Sequence, residues 1–121
     1  MSLIGTRVVR KEDPDLLTGA GRYVSDVGPA DALHVTFVRS IMPHALITEI
    51  DISEAENYPG VVAVHTAASL GLTPKTPSHP LLNQEMTRTW LATDRVRFVG
   101  EPVVAIVSDT PAAGVDAAEQ V

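Results

Sequence analysis

Side chains able to carry acid–base, nucleophilic or metal chemistry are present in this sequence, but their spacing brings few of them into a recognisable constellation. The chain has four histidines, His34, His44, His65 and His79. No pair is spaced to share one helical face as metal ligands, and no H-E-x-x-H occurs, so each reads as a surface or loop residue. Asp51, Glu54 and Glu56 could attract a hard cation, but their spacing fits helix capping and favourable charge at a helix start. Ser40 and His44 lie close in sequence, yet no G-x-S-x-G elbow surrounds the serine and Pro43 marks a turn. Gly19-Ala20-Gly21 lacks both the third glycine and the preceding strand of a dinucleotide loop. Trp90 reads as an anchor tying a long loop to the core. Gly100-Glu101-Pro102 stands apart: glycine and proline explain a turn, and Glu101 is either a solvated turn acid or part of an interface with another domain. Gly100, Glu101 and Pro102 are thus the one candidate site, a domain interface, and no catalytic, cofactor-binding or metal-binding residue is assigned.

The elements that would position these groups follow from the hydrophobic pattern. Val8 to Arg22 reads as an irregular lead-in, with a turn at Asp13-Pro14 because the residue before proline avoids the helical region. Leu33 to Arg39 alternates as a strand, with Leu33, Val35 and Phe37 on one face and His34 and Thr36 on the other. Leu46 to Ile52 reads as a second strand, with Leu46, Thr48, Ile50 and Ile52 inward. Ser53 and Glu56 form an S-x-x-E capping box for a helix stopped by Pro59-Gly60. Val61 to His65, apolar on both faces, is expected to be central. Thr66 caps a short helix ending at Gly71. Pro74, Pro77 and Pro80 break Leu72 to Leu91 into a long surface connection. Arg95 to Val99 and Val103 to Ser108 are two further strands, the second almost continuously apolar and deeply buried. Thr110 and Pro111 fit the cap and first position of a helix that buries Gly114, Ala117, Ala118 and Val121. That pattern runs to Val121 without a glycine cap, which reads as a chain truncated from a larger subunit.

Bulk properties set the outer limits. At 121 residues, 45% hydrophobic and 20% charged, the chain suits one globular domain spanning 1–121. A net charge of −6 with scattered basic residues argues against nucleic acid as a partner. No apolar run reaches the ~18–20 residues of a membrane span. Met1 to Arg10 lacks an apolar leader core, so the expected location is cytoplasmic. The absence of cysteine removes disulfides, thiolate metal sites and cysteine-held iron–sulfur clusters from this chain.

Four blocks resemble the N-terminal part of molybdenum hydroxylase large subunits, the family of xanthine dehydrogenase, aldehyde oxidase and carbon monoxide dehydrogenase large chains. The first is Arg10-Lys11-Glu12-Asp13-Pro14, continuing through Leu16-Leu17-Thr18-Gly19-Ala20-Gly21-Arg22-Tyr23-Val24 to Asp26. The second runs from Leu33-His34 through Phe37-Val38-Arg39-Ser40 to His44-Ala45, and the third joins Ile50-Asp51 to Pro59-Gly60-Val61-Val62-Ala63-Val64. The fourth spans Leu91 to Val104 and leads to Asp116-Ala117-Ala118-Glu119. The likeness is closest to the bacterial branch containing carbon monoxide dehydrogenase and related aldehyde or heteroaromatic hydroxylases. Departures fall at Ser40 to Ala45, where proline does not directly follow the serine, and at Thr89-Trp90.

The resemblance implies an α+β fold of the α/β-hammerhead type, a mostly antiparallel bent sheet with short helices. It also implies a parent oxidoreductase that hydroxylates or oxidises carbon at a molybdenum–molybdopterin centre, with [2Fe–2S] and FAD on partner subunits. The pterin-contacting segments and the active-site glutamate of that family lie towards the C-terminus, beyond the hammerhead. The expected partners are therefore the C-terminal molybdopterin-binding domains of the parent subunit and the iron–sulfur and flavin subunits, with no cofactor on this stretch and no activity of its own. A free-standing hammerhead interaction or scaffold module is the alternative.

Overall fold

The computed structural model describes residues 4–5 and 7–121, so part of the Met1–Arg10 stretch read for a leader lies outside the described residues. The chain divides into two compact units, Met1–Ala32 and Leu33–Val121.

Within the first unit, helix α1 spans Asp13–Leu17. The expected turn at Asp13-Pro14 is instead a helix start. Proline near the first position loses nothing there, because that amide has no helical acceptor. Gly19, at φ +76°, turns the chain so that the amides of Ala20 and Gly21 donate to Asp15 O at 2.8 and 2.9 Å. These glycines therefore close a helix end. A short 3-10 turn covers Val24–Asp26, and the Asp26 carboxylate accepts from the Tyr23 amide at 2.8 Å.

The second unit is built on β5 (Pro102–Ser108), the middle strand of a three-stranded antiparallel sheet. Its neighbours are β1 (His34–Arg39) and β3 (Val61–Thr66). The long apolar run is thus buried, as expected, because both of its edges and one face are covered. Val61–His65 is not central: β3 is an edge strand, its ladder shifted by a bulge between Val61 and Ala63. The expected strand Leu46–Ile52 contracts to the two residues of β2, Ala45–Leu46, paired with β4, Arg95–Val96. Its inward set changes accordingly. Leu46 and Thr48 are exposed, whereas Ile47, Ile50 and Ile52 are partly buried.

Helix α2 (Ser53–Glu56) has Ile52 and not Ser53 at its N-cap, with no side-chain cap bond; the Asp51 carboxylate just before it accepts from the Ser53 amide at 3.0 Å and the Ser53 hydroxyl at 2.7 Å. The Ser53 hydroxyl bond, with the amide bond adding to it, holds the Asp51 carboxyl below its ordinary value. Helix α3 (Ala67–Leu70) keeps its expected Thr66 cap, which accepts from Ser69 N at 3.3 Å, and its Gly71 stop at φ +56°.

Helix α4 (Pro111–Ala118) is capped by Thr110, whose hydroxyl accepts from Ala113 N at 3.2 Å. It lies on the sheet with Gly114 and Ala117 buried. A Cβ on Gly114 would stand 2.4 Å from Thr36 Oγ1 and 2.7 Å from Ser108 Oγ, so the glycine sets how closely helix and sheet approach. The core beneath α4 consists of Ala55, Val64, Val104, Ile106 and Ala117, flanked by Val38, Ile50, Ile52 and Tyr58 among others. Residues 72–91 carry no named element beyond a single bridge between Lys75 and Arg88. Among the described residues, no helix is long and apolar enough to cross a membrane.

Candidate docking surface

The residues with catalytic potential stay apart. The Ser40 hydroxyl donates to Met42 O at 2.9 Å and accepts from Met42 N at 3.0 Å, so it closes a local turn and leaves His44 aside. Among the described residues, no three His, Cys, Asp or Glu side chains converge as metal donors. Trp90 does not anchor its loop to the core: it is 58% exposed, with the Lys75 ammonium 5.7 Å from its ring centroid.

Gly100-Glu101-Pro102 sits where several segments meet. Gly100 adopts φ +89°, which a side chain would strain. Its amide donates to Ser40 O at 2.7 Å, and the Ser40 amide returns a bond to Glu101 O at 2.9 Å. The Arg39 guanidinium donates to Gly100 O at 2.9 Å, and Pro102 O accepts from the Ala92 amide at 2.8 Å. The Glu101 side chain is not solvated. It is only 6% exposed and accepts from the Arg97 backbone amide, with the Arg97 guanidinium 3.6 Å away. Asp94 completes the cluster by pairing with Arg95 at 2.8 Å and Arg97 at 3.3 Å. The hydrogen bond from Arg95 holds the Asp94 carboxyl down at about 2. The carboxylate of Glu101 thus fixes the β4–β5 turn from inside, and the turn presents Phe98 and Val99 outward. Short-range sequence reading misses this, because Arg97 and Glu101 meet only once the chain reverses.

The larger surface feature lies on the sheet. The strand β1 alternates as expected, and the structure decides which side meets the helix: Thr36 and Val38 turn inward under α4, and Leu33, Val35 and Phe37 are 50%, 55% and 42% exposed. Val35 stands opposite Val107 and Phe37 opposite Ala105 on β5, and these in turn face Ala63 and His65 on β3. The Arg39 guanidinium lies 5.4 Å from the Phe37 ring centroid at one end of this apolar surface.

Fold and site together define a small mixed α/β domain with antiparallel sheets and short helices, whose distinctive groups make surfaces and turns. Residues 18–121 match the aldehyde oxidase and xanthine dehydrogenase a/b hammerhead domain, and the chain belongs to that family. The nicotine 6-hydroxylase large subunit of Paenarthrobacter nicotinovorans is 43% identical over 125 residues, covering 99% of this chain and 15% of that protein. The carbon monoxide dehydrogenase large chain of Afipia carboxidovorans is 37% identical over 119 residues, covering 98% of this chain and 14% of that one. Quinoline 2-oxidoreductase from Pseudomonas putida 86 superposes with a TM-score of 0.77 at 36% identity, over 98% of this chain and 16% of that chain. This chain therefore spans about one sixth or less of the length of the proteins it matches.

Proposed function

We propose that this chain is the hammerhead part of the large subunit of a molybdenum-dependent oxidoreductase, and that it packs, orients and shapes the substrate approach without catalysing the reaction itself. The observation that carries this reading is the match of nearly the whole chain to a small fraction of each relative. The donor set here does not fit a metal or cluster. No cysteine occurs in the sequence, and no three metal-donor side chains converge among the described residues. In this reading, following the family resemblance, molybdenum–pterin redox chemistry belongs to the C-terminal domains of the parent subunit, with [2Fe–2S] and FAD on partner subunits and the assembly in the cytoplasm.

Gly100, Glu101 and Pro102 belong to the interface in this reading, chiefly through the turn they shape. The buried Glu101 carboxylate holds Phe98 and Val99 at the surface for a neighbouring domain. Replacing Glu101 by alanine in the complete enzyme should weaken assembly and lower activity together; unchanged assembly and activity would remove the turn from the interface.

The experiment for the whole reading is the intact mass and molybdenum content of the native polypeptide. A chain several-fold heavier than 12.9 kDa, isolated with molybdenum, is the expected result. A native chain of 12.9 kDa without the metal would overturn it and leave a free-standing scaffold module.

A further inference from the structure

An antiparallel sheet with one face in water ordinarily turns its polar residues outward on that face. Strand β1 departs from this: Thr36 joins Val38 on the inward side, while Val35 and Phe37 point outward beside Arg39. Its inward positions under α4 include Thr36, which the close approach of Gly114 requires to be small, and its outward positions are Leu33, Val35 and Phe37. Across the ladder this face continues through the half-buried Val107 and Ala63 and the buried Ala105, so the exposed Leu33, Val35 and Phe37 lie beside further apolar groups of β5 and β3. Single exposed apolar residues are normal, but a contiguous patch marks an interaction surface. At the paired positions of this face among the described residues, Arg39, stacked on Phe37, and His65 supply the charge and polarity beside apolar Val35, Phe37, Val107, Ala105 and Ala63.

We propose that the Leu33–Val35–Phe37 face of the sheet is the docking surface for an apolar surface of the same large-subunit polypeptide, contributed by segments outside these 121 residues. The proposal rests on the large-subunit reading above. The length of the relatives identifies the occupant: the matched region is 14–16% of each chain, so most of the polypeptide is tethered beside this face. Tethering makes that contact intramolecular, at an effective concentration a separate protein does not reach.

Hydroxyl-radical footprinting of the complete, unmodified enzyme tests the covering directly. Leu33, Val35 and Phe37 should be protected as strongly as the fully buried Val104 and Ile106, relative to the urea-unfolded enzyme. Labelling at roughly half the unfolded rate, the level their exposure in this domain implies, would overturn the proposal. A photo-cross-linking residue at Val35, or at Leu33 where the first variant does not assemble, identifies the occupant. Cross-links within the large-subunit polypeptide are expected; cross-links to a second copy or to a separate subunit would overturn the assignment. Failure of the large-subunit reading itself is seen separately, in the mass and metal content of the native chain.

Discussion

Replacing Gly114 by alanine sets two effects of known sign against each other. Alanine is a better helix former than glycine by about 0.8–1.0 kcal/mol, which alone would stabilise α4. The new methyl would lie 2.4 Å from Thr36 Oγ1, 2.7 Å from Ser108 Oγ and 3.2 Å from Thr36 Cβ. Separations under 3 Å cannot stand, and the third neighbour is anchored directly on the strand backbone. Overpacking of a fitted core costs about 1–3 kcal/mol. Moving Ser108 also strains its part-buried 2.8 Å bond to Thr110 O, an interaction of roughly 0.5–1.5 kcal/mol. The packing cost exceeds the propensity gain, and a net loss of about 1–2 kcal/mol is expected. Urea unfolding followed by far-ultraviolet circular dichroism reads the loss as a lower midpoint at unchanged slope. The variant Thr36→Ala should remove part of the clash, so that Gly114→Ala costs less in that background. A Gly114→Ala chain more stable than the parent by the propensity increment would refute the close helix–sheet contact.

Three other outcomes follow from the same geometry. Truncating the Thr110 cap to alanine should destabilise α4 by about 1 kcal/mol, visible as faster amide exchange in its first turn. Glu101→Ala leaves the Arg97 amide without its buried acceptor and should cost about 1–3 kcal/mol, whereas Glu101→Gln keeps an acceptor oxygen and should lose less; equal losses in urea would contradict the assigned bond. The Asp94 carboxyl titrates at about 2 in the fold against 3.8 ordinarily, so its folded pKa is depressed. Its contribution to stability is therefore present above pH 3.8 and lost as pH falls through about 2. Carboxyl carbon-13 NMR should place its midpoint there, and Arg95→Gln should return it towards the ordinary value.

Much of the local structure is legible from short-range rules. The strand from Val103 to Ser108 declares itself by unbroken apolar character, and the caps at Thr66 and Thr110 by residues whose hydroxyls can reach a nearby amide. The absence of regular elements between residues 72 and 91 follows from proline spacing. Other local readings fail at helix starts. Ser53 is the first helical residue and not the cap: Ile52 holds the cap position without a side-chain bond, and the Asp51 carboxylate before it engages both the amide and the hydroxyl of Ser53. The helix at Asp13 forms through its proline, since a first-turn amide has no partner to lose.

The sequence itself rules out a thiolate centre, since it has no cysteine, and spaces no two histidines as i and i+4 ligands of one helix. Alternation in β1 likewise separates Leu33, Val35 and Phe37 from Thr36 without any structure in hand. Which of the two faces meets the helix is a tertiary decision, because period-two patterning divides a strand into sides but assigns neither to the core. Here the helix approaches through Gly114, and only a small side chain such as that of Thr36 fits beneath it. The larger apolar set is therefore turned outward, and Glu101 is drawn inward by an Arg97 amide that only the chain reversal brings within reach.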